Sequence, residues 1–210
     1  MTLLEKGQKV FVKNSFNGGK EKIGQIVEID NQDSEMPYFV QYNDGTTYWE
    51  YVDEVELYDP RRNVYLAGPF FSENQINIVN ELHGALNENK TIKSVFVPME
   101  HQMNDGELEE FTAPWARAVA MNDYENVRNA DIVVAIVDFD GQDMDSGTAA
   151  EIGYAYAIGK PVFLFHKENH EIMVNLMVTE VAQAYFTDLQ QVKDYNFTSQ
   201  EKVPFSGNYR

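Results

Sequence analysis

Apolar and polar positions change rhythm once along this chain. Over residues 1–58 the rhythm is short and close to period two, which predicts strands. Gln8–Asn14 alternates around Val10 and Val12, and Ile23–Ile29 alternates through Ile23, Gln25, Val27 and Ile29. Tyr38–Tyr42 is aromatic and β-branched, Asn43-Asp44-Gly45 is a hairpin turn signal, and Thr46–Tyr51 follows it. Asn17-Gly18-Gly19 marks an earlier loop. So many short strands in so little chain predict a small all-β barrel. Tyr58-Asp59-Pro60-Arg61-Arg62 breaks the pattern. The expected organisation is a β module over 1–58, a linker over 59–62 and a second domain over 63–210.

From residue 63 strands and helices alternate. Asn63–Ala67, Ser94–Pro98, Asp131–Phe139 and Pro161–His166 read as strands, with Ile132 to Val137 an unbroken apolar run. Ser72-Glu73-Asn74-Gln75 has the form of a capping box, opening a helix with Ile76, Val79, Leu82 and Leu86 on one face. Further helices are expected over Pro114–Asn129 (Trp115, Ala118, Val119 and Val127 apolar), Gly147–Ile158 with Gly159 at its C-cap, and Val174–Ala184. Continuous apolar strands between helices predict an α/β domain, a flavodoxin-like or Rossmann-like parallel five-stranded sheet covered on both faces. Ligands of such sheets sit at the carboxyl ends of the strands. That rule singles out Gly68–Glu73, Asp138–Gly147 and His166–Asn175.

Charge narrows the function. The formal net charge is −18, from 34 acidic residues against 16 Lys and Arg. Such a chain is a poor binder of nucleic acid or anionic membranes. With no cysteine there is neither a disulfide nor a thiolate metal site, and the four histidines show no ligand spacing. The first residues lack the apolar core of a signal peptide and no run has the length of a membrane span, so a cytoplasmic protein is expected.

The second loop carries the chemistry. Asp138, Asp140, Asp143 and Asp145 crowd it, and it runs into Ser146-Gly147-Thr148-Ala149-Ala150-Glu151-Ile152-Gly153-Tyr154-Ala155. Glu151 is expected in about the first turn of the helix, where the macrodipole favours the carboxylate that a nucleophile needs. Small neighbours leave room for a flat substrate. Thr148 and Glu151 also have capping-box spacing, and the aspartates also suit a solvated loop or a weak cation site.

An ordered set of motifs runs from Asn63 onward: Val64-Tyr65-Leu66-Ala67-Gly68-Pro69-Phe70-Phe71, Phe96 through Gln102, Asn122-Asp123, Asp145 through Ala155, Asn175-Leu176-Met177, and Phe197 with the tail. In these the chain resembles the nucleoside 2-deoxyribosyltransferases. It implies that Glu151 attacks C1′ and forms a deoxyribosyl-enzyme that a second base then resolves, with retention. It gives Asp123 the protonation of the leaving base, which requires a raised pKa. Tyr65 would orient Glu151, Asp145 would hold sugar hydroxyls, and Gln102, Gly68, Phe70 and Phe71 would meet the base or its surroundings. Asn175 and Met177 would come from an adjacent protomer in a shared-site homo-oligomer, from dimer to hexamer. No cofactor and no metal are implied. Deoxynucleosides and free nucleobases would be the partners. The tail Asn208-Tyr209-Arg210 departs from the family's usual aromatic end, and Gly68-Pro69-Phe70 departs from its best-known opening loop.

Two other readings compete. A deoxynucleoside 5′-monophosphate N-glycosidase would use the same glutamate with water as acceptor and bind phosphate at Ser146, Gly147 and Thr148. A non-catalytic nucleoside or nucleotide sensor would use the β module to contact a partner. The β module resembles SH3-like barrels of the Tudor type through Gly7–Val10, Phe39–Gly45 and a trailing Val52–Val55 strand. Its Tyr38, Tyr42, Tyr48 and Trp49 fit an aromatic cage or a barrel core.

Overall fold

The computed structural model describes residues 4–13, 22–101, 108–167 and 172–210. Contacts divide the chain into two compact units, Met1–Pro60 and Arg61–Arg210.

The first unit holds β1 (Lys9–Val12), β2 (Lys22–Ile29), β3 (Tyr38–Tyr42), β4 (Thr47–Glu50) and β5 (Val55–Leu57). They form an antiparallel sheet in the order β4-β3-β2-β1-β5. The core is Val10, Val12, Ile26, Val40 and Val55 with the tyrosines 38 and 42. Tyr38 and Tyr42 are therefore interior residues, and Tyr42 donates to the buried Glu50. Two expectations change. The inward face of β2 is Gly24 and Ile26 rather than the series from Ile23, and a register shift between Ile26 and Glu28 then returns Ile29 to the same core. The trailing strand begins only at Val55, since 52–54 form a turn. The Asn17-Gly18-Gly19 loop lies outside the described residues.

The second unit runs β6 (Arg62–Ala67), α1 (Glu73–Glu88), β7 (Ile92–Phe96), α2 (Ala113–Asn129), β8 (Ile132–Ile136), α3 (Ser146–Ala157) and β9 (Val162–Phe165). It continues with β10 (Met173–Val174), α4 (Leu176–Thr179), β11 (Ala182–Phe186), α5 (Leu189–Asp194) and β12 (Asn208–Tyr209). Five strands form a parallel sheet in the order β11-β9-β8-β6-β7. Strict alternation sorts their side chains onto two faces. Val64, Leu66, Ile132, Val134 and Ile136 pack with α1 and α5, while Tyr65, Ala67, Val133, Ala135 and Val137 pack with α2 and α3.

The expected capping box at Ser72 and Gln75 is formed. The helix expected over Val174–Ala184 is not. Asn175 caps a single turn, α4, and the chain then enters β11, the fifth strand of the sheet. Met177, Val178 and Val181 mimic helical spacing. Tyr185 and Phe186 end a strand that needs apolar residues on both faces, and pairing with β9 overrides the local pattern.

One buried amide ties the ends of α1 and α5 together. Asn89, 3% exposed, donates through Nδ2 to the carbonyls of Val192, Lys193 and Tyr195 at 2.7, 3.0 and 2.8 Å. Its Oδ1 accepts from the backbone N and hydroxyl of Thr91. Asn89→Ala leaves these groups without partners and is expected to cost roughly 3 kcal/mol in urea denaturation. A loss below about 0.5 kcal/mol would refute the staple, being no more than a neutral surface change costs.

Candidate active site

After β6 the chain goes outward to β7, then crosses to β8 on the other side of β6. This reversal opens a crevice at the carboxyl ends of β6 and β8. Gly68 leaves β6 directly over Ile136 of β8. A Cβ at Gly68 would lie 2.9 Å from Ile136 Cδ1, so the close turn needs glycine.

Alternation along β6 aims Tyr65 at α3. Its side chain is fully buried, and Tyr65 Oη donates to Glu151 Oε1 at 2.5 Å. Behind it, Phe96 stacks on Tyr65 at 5.7 Å and His101 stacks on Phe96 at 4.6 Å. The Tyr65 hydroxyl is held well above its ordinary pKa by burial, reinforced by the charge of Glu151, so it stays a donor.

Glu151 does not sit where the sequence suggested. The N-cap is Asp145, which places Glu151 in the second turn of α3, beyond the reach of the helix N-terminus. Thr148 is accordingly a cap recipient rather than the start of a capping box. Burial pushes the Glu151 carboxyl up to about 7, against the Tyr65 hydrogen bond, with Asp123 and Asp145 adding repulsion. Asp123, on α2, is pushed up to about 6 by burial, opposed by a hydrogen bond from Asn122. Two carboxyls thus titrate near neutrality around one hollow.

The aspartates of the 138–145 loop do separate jobs. Asp138 is buried and accepts from Lys167 N at 2.7 Å. Asp140, at φ 49°, accepts from Ser72, Asn74 and Gln75 and ties the loop to the start of α1. Asp143 pairs with Arg210. Asp145 caps α3 through Oδ2, at 2.8 Å from Thr148 N.

The hollow over Glu151 has a volume of about 380 Å³. Gly68, Phe70, Phe71, Asp123, Asp145, Gly147 and Glu151 line it together. Phe70 and Phe71 stack on each other at 5.5 Å, and Phe71 stands 71% exposed at its edge. Ser146, Asn175 and Met177 are not brought to it. They line a separate hollow of about 670 Å³, with Met144, Ile152 and Arg210. That second hollow is larger but lacks the carboxyl pair. Gln102 lies outside the described residues. Among the described residues no cluster of side chains suited to a metal ion occurs.

Residues 64–196 match the family model for nucleoside 2-deoxyribosyltransferases. The chain belongs to this family. It is 30% identical over 160 residues to a nucleoside deoxyribosyltransferase of Limosilactobacillus fermentum, covering 70% of this chain and 94% of that one. It is likewise 30% identical over 146 residues to a nucleoside deoxyribosyltransferase of Lactobacillus leichmannii, covering 66% and 91%. Among solved structures, the 2-deoxyribosyltransferase of Bacillus psychrosaccharolyticus is 37% identical, with a TM-score of 0.61 over 69% of this chain and 99% of that one. The family match begins at Val64, so the N-terminal antiparallel sheet lies outside it.

In this deoxyribosyltransferase-family chain, several wall residues escaped the sequence reading. His101, Phe111, Trp115, Val119 and Asn122 also line the hollow. Trp115 and Val119 read only as apolar positions of α2. Their spacing with Asn122 and Asp123 (i, i+4, i+7, i+8) was the available sign that one helix face looks into a site.

Burial of Glu151 has a cost that can be measured. Its folded pKa lies above the unfolded value of 4.5, so ionisation destabilises the fold. The penalty is absent below pH 4.5, grows through about 7 and is complete above it. Glu151→Gln should therefore stabilise the protein at pH 8.5, by on the order of 2–3 kcal/mol, and leave it unchanged at pH 4. Equal stability of the two proteins at pH 8.5 in thermal melts would show that the carboxyl is not destabilised by burial.

Proposed function

We propose that this protein moves 2-deoxyribose between nucleobases through a deoxyribosyl ester on Glu151, with retention at C1′. The observation that carries this reading is the Tyr65–Glu151 pair at the base of a hollow lined by carboxyls and aromatic rings. Ionised Glu151 attacks C1′ and the N-glycosidic bond breaks. The bonding electrons leave with the base, and Asp123 supplies the proton that neutralises it. A second base then attacks C1′ from the face the first one left, Glu151 departs as carboxylate, and the proton returns to Asp123. Tyr65 holds one carboxylate oxygen so that the other faces the sugar. Asp145 Oδ1 is left for the sugar hydroxyls. The absence of an electron-withdrawing 2′-hydroxyl eases the oxocarbenium-like transition state, which favours deoxyribose.

The electrostatics favour this over the monophosphate glycosidase. Glu110, Asp123, Asp145 and Glu151 line the hollow, and no Lys or Arg does among the described residues. Thr148 N, the amide that a phosphate would use, is taken by Asp145. Ser146 opens into the other hollow.

We extend the proposal to the whole chain. Residues 1–58 are an SH3-like barrel joined through 59–62 to a catalytic domain over 63–210, and the protein works in the cytoplasm as a homo-oligomer. The exposure of Met173, Leu176 and Met177 (51%, 50% and 72%) supports an interface that carries Asn175 and Met177 to a neighbour's site. No helix among the described residues is long and apolar enough to cross a membrane.

Chromatography of 2′-deoxyinosine with and without adenine tests the chemistry. The expected outcome is 2′-deoxyadenosine only when adenine is present, with little free deoxyribose. Glu151→Ala should lower the rate roughly 10³-fold or more, and unchanged turnover would remove Glu151 from the mechanism. The pH profile of kcat/KM should be a narrow bell between about 6 and about 7, belonging to the coupled pair. Asp123→Asn should abolish its alkaline limb and leave a single acid limb that belongs to Glu151. A flat profile from pH 5 to 8 would overturn this assignment.

A further inference from the structure

Two loops wall the hollow over Glu151. One follows β6 and carries Gly68, Phe70 and Phe71; the other follows β8 and carries Asp145. Gln75, in the first turn of α1, serves the first loop. It is 5% exposed, and its Oε1 accepts from Phe71 N at 2.8 Å and from Ser72 N at 3.3 Å. With the amide oxygen committed to two backbone donors, the amide nitrogen is left to seek an acceptor elsewhere. It donates to Asp140 Oδ2 at 2.6 Å, across to the second loop. Asp140 is thus two hydrogen bonds away from the Phe71 backbone.

The three side chains that meet Asp140 all donate to it. Ser72 Oγ donates to Oδ2 at 2.9 Å, and Asn74 Nδ2 donates to Oδ1 at 2.9 Å. A carboxylate only accepts and can serve all three, whereas a carboxamide there would offer one acceptor and two donors. These bonds, that from Asn74 foremost, hold the Asp140 carboxyl below its ordinary pKa, so it stays an acceptor at neutral pH. The turn that carries Asp140 does not itself need the carboxylate. Phe139 O accepts from Gln142 N at 2.9 Å, and both central residues have positive φ, 49° at Asp140 and 77° at Gly141. Positive φ at both centres is what a type I′ turn requires, and Gly-Gly meets that requirement as Asp-Gly does. The turn accounts for the backbone of Asp140, and its three donors account for its charge.

We propose that Asp140 is a positioning residue for the nucleobase: through Gln75 it fixes the backbone of Phe71, and with it the stacked Phe70 and Phe71 rings against which the base lies. Phe71 is 71% exposed, so little packing places it and its backbone hydrogen bond to Gln75 matters more. None of these bonds involves Tyr65 or Glu151, so the chemical step keeps its rate when they are lost. This rests on the reading of the hollow as a nucleobase pocket.

Asp140→Gly keeps the turn and removes the carboxylate. Transfer from 2′-deoxyinosine to adenine is measured with the full-length protein. The KM for adenine should rise about three- to tenfold, the worth of one hydrogen bond, while kcat stays within about twofold. A merely structural role would lower kcat through lost active protein and leave KM unchanged. Backbone hydrogen–deuterium exchange over residues 68–75 should quicken. Phe71→Ala should raise the same KM, and adding Asp140→Gly to it should raise KM by less than about twofold more, because Asp140 acts through Phe71. Gln75→Met removes the relaying amide at similar volume, should give the same split, and carries the test should Asp140→Gly not fold. An unchanged KM for adenine in a folded variant, or fully additive effects in the double variant, overturns this proposal and leaves the transferase reading standing. If the unmodified protein transfers no deoxyribose, both fall.

Discussion

The hydrogen bond from Tyr65 to Glu151 joins β6 of the parallel sheet to the helix that follows the acidic loop. Most of the site depends on the geometry that makes this bond possible. Tyr65 reaches α3 because β6 alternates strictly, with Val64 and Leu66 on one face and Tyr65 and Ala67 on the other. A slip of one residue would turn the tyrosine toward α1. Glu151 meets it because Asp145 fixes the start of α3 and so sets the rotation of every later residue on that helix. Asp145 is thus a structural cap and a site wall at once.

That bond also explains why a carboxyl can be buried here at all. Removing Glu151 from water favours its neutral form, and Asp123 and Asp145 push the same way. The Tyr65 hydroxyl opposes them, since burial keeps it protonated and therefore a donor. The balance leaves Glu151 near neutrality rather than permanently protonated. In the proposed reaction such a carboxylate attacks more readily than one solvated at the surface, because little water must be stripped from it as C1′ approaches.

Much of this was legible in the residues. The unbroken apolar run from Ile132 to Val137 could only be a doubly covered strand, and Ser72 with Gln75 fixed the start of α1. The carboxyl-end rule points to the Gly68 and Asp138 loops from strand order alone. What stayed hidden depends on long-range geometry. Whether Glu151 feels the helix dipole turns on which residue caps α3, and Asp145 outcompetes Thr148 for that place. The strand at Ala182–Phe186 is set by its partner β9, not by its own pattern. Trp115 and Val119 look like core because an apolar stripe is the same whether it meets a sheet or a flat ligand.

Charge connects the site to the rest of the molecule. Surface acids give a net charge of −18, but at physiological salt their field is screened within about 8 Å. They cannot by themselves decide what enters a hollow. The carboxyls in its wall can, because they act at close range in a partly dehydrated space. Burial raises both carboxyls, Asp123 to about 6 and Glu151 to about 7, so near neutrality the hollow keeps protons that lower its negative charge. A dianionic phosphate would oppose that arrangement and find no cation among the described lining residues to offset it. In the proposed reaction a neutral nucleoside adds no charge, presents hydroxyls as donors to Asp145 and brings a base that can accept the proton of Asp123. On that proposal the acidity of the hollow filters for uncharged substrates, and the carboxyls that filter are the ones that react.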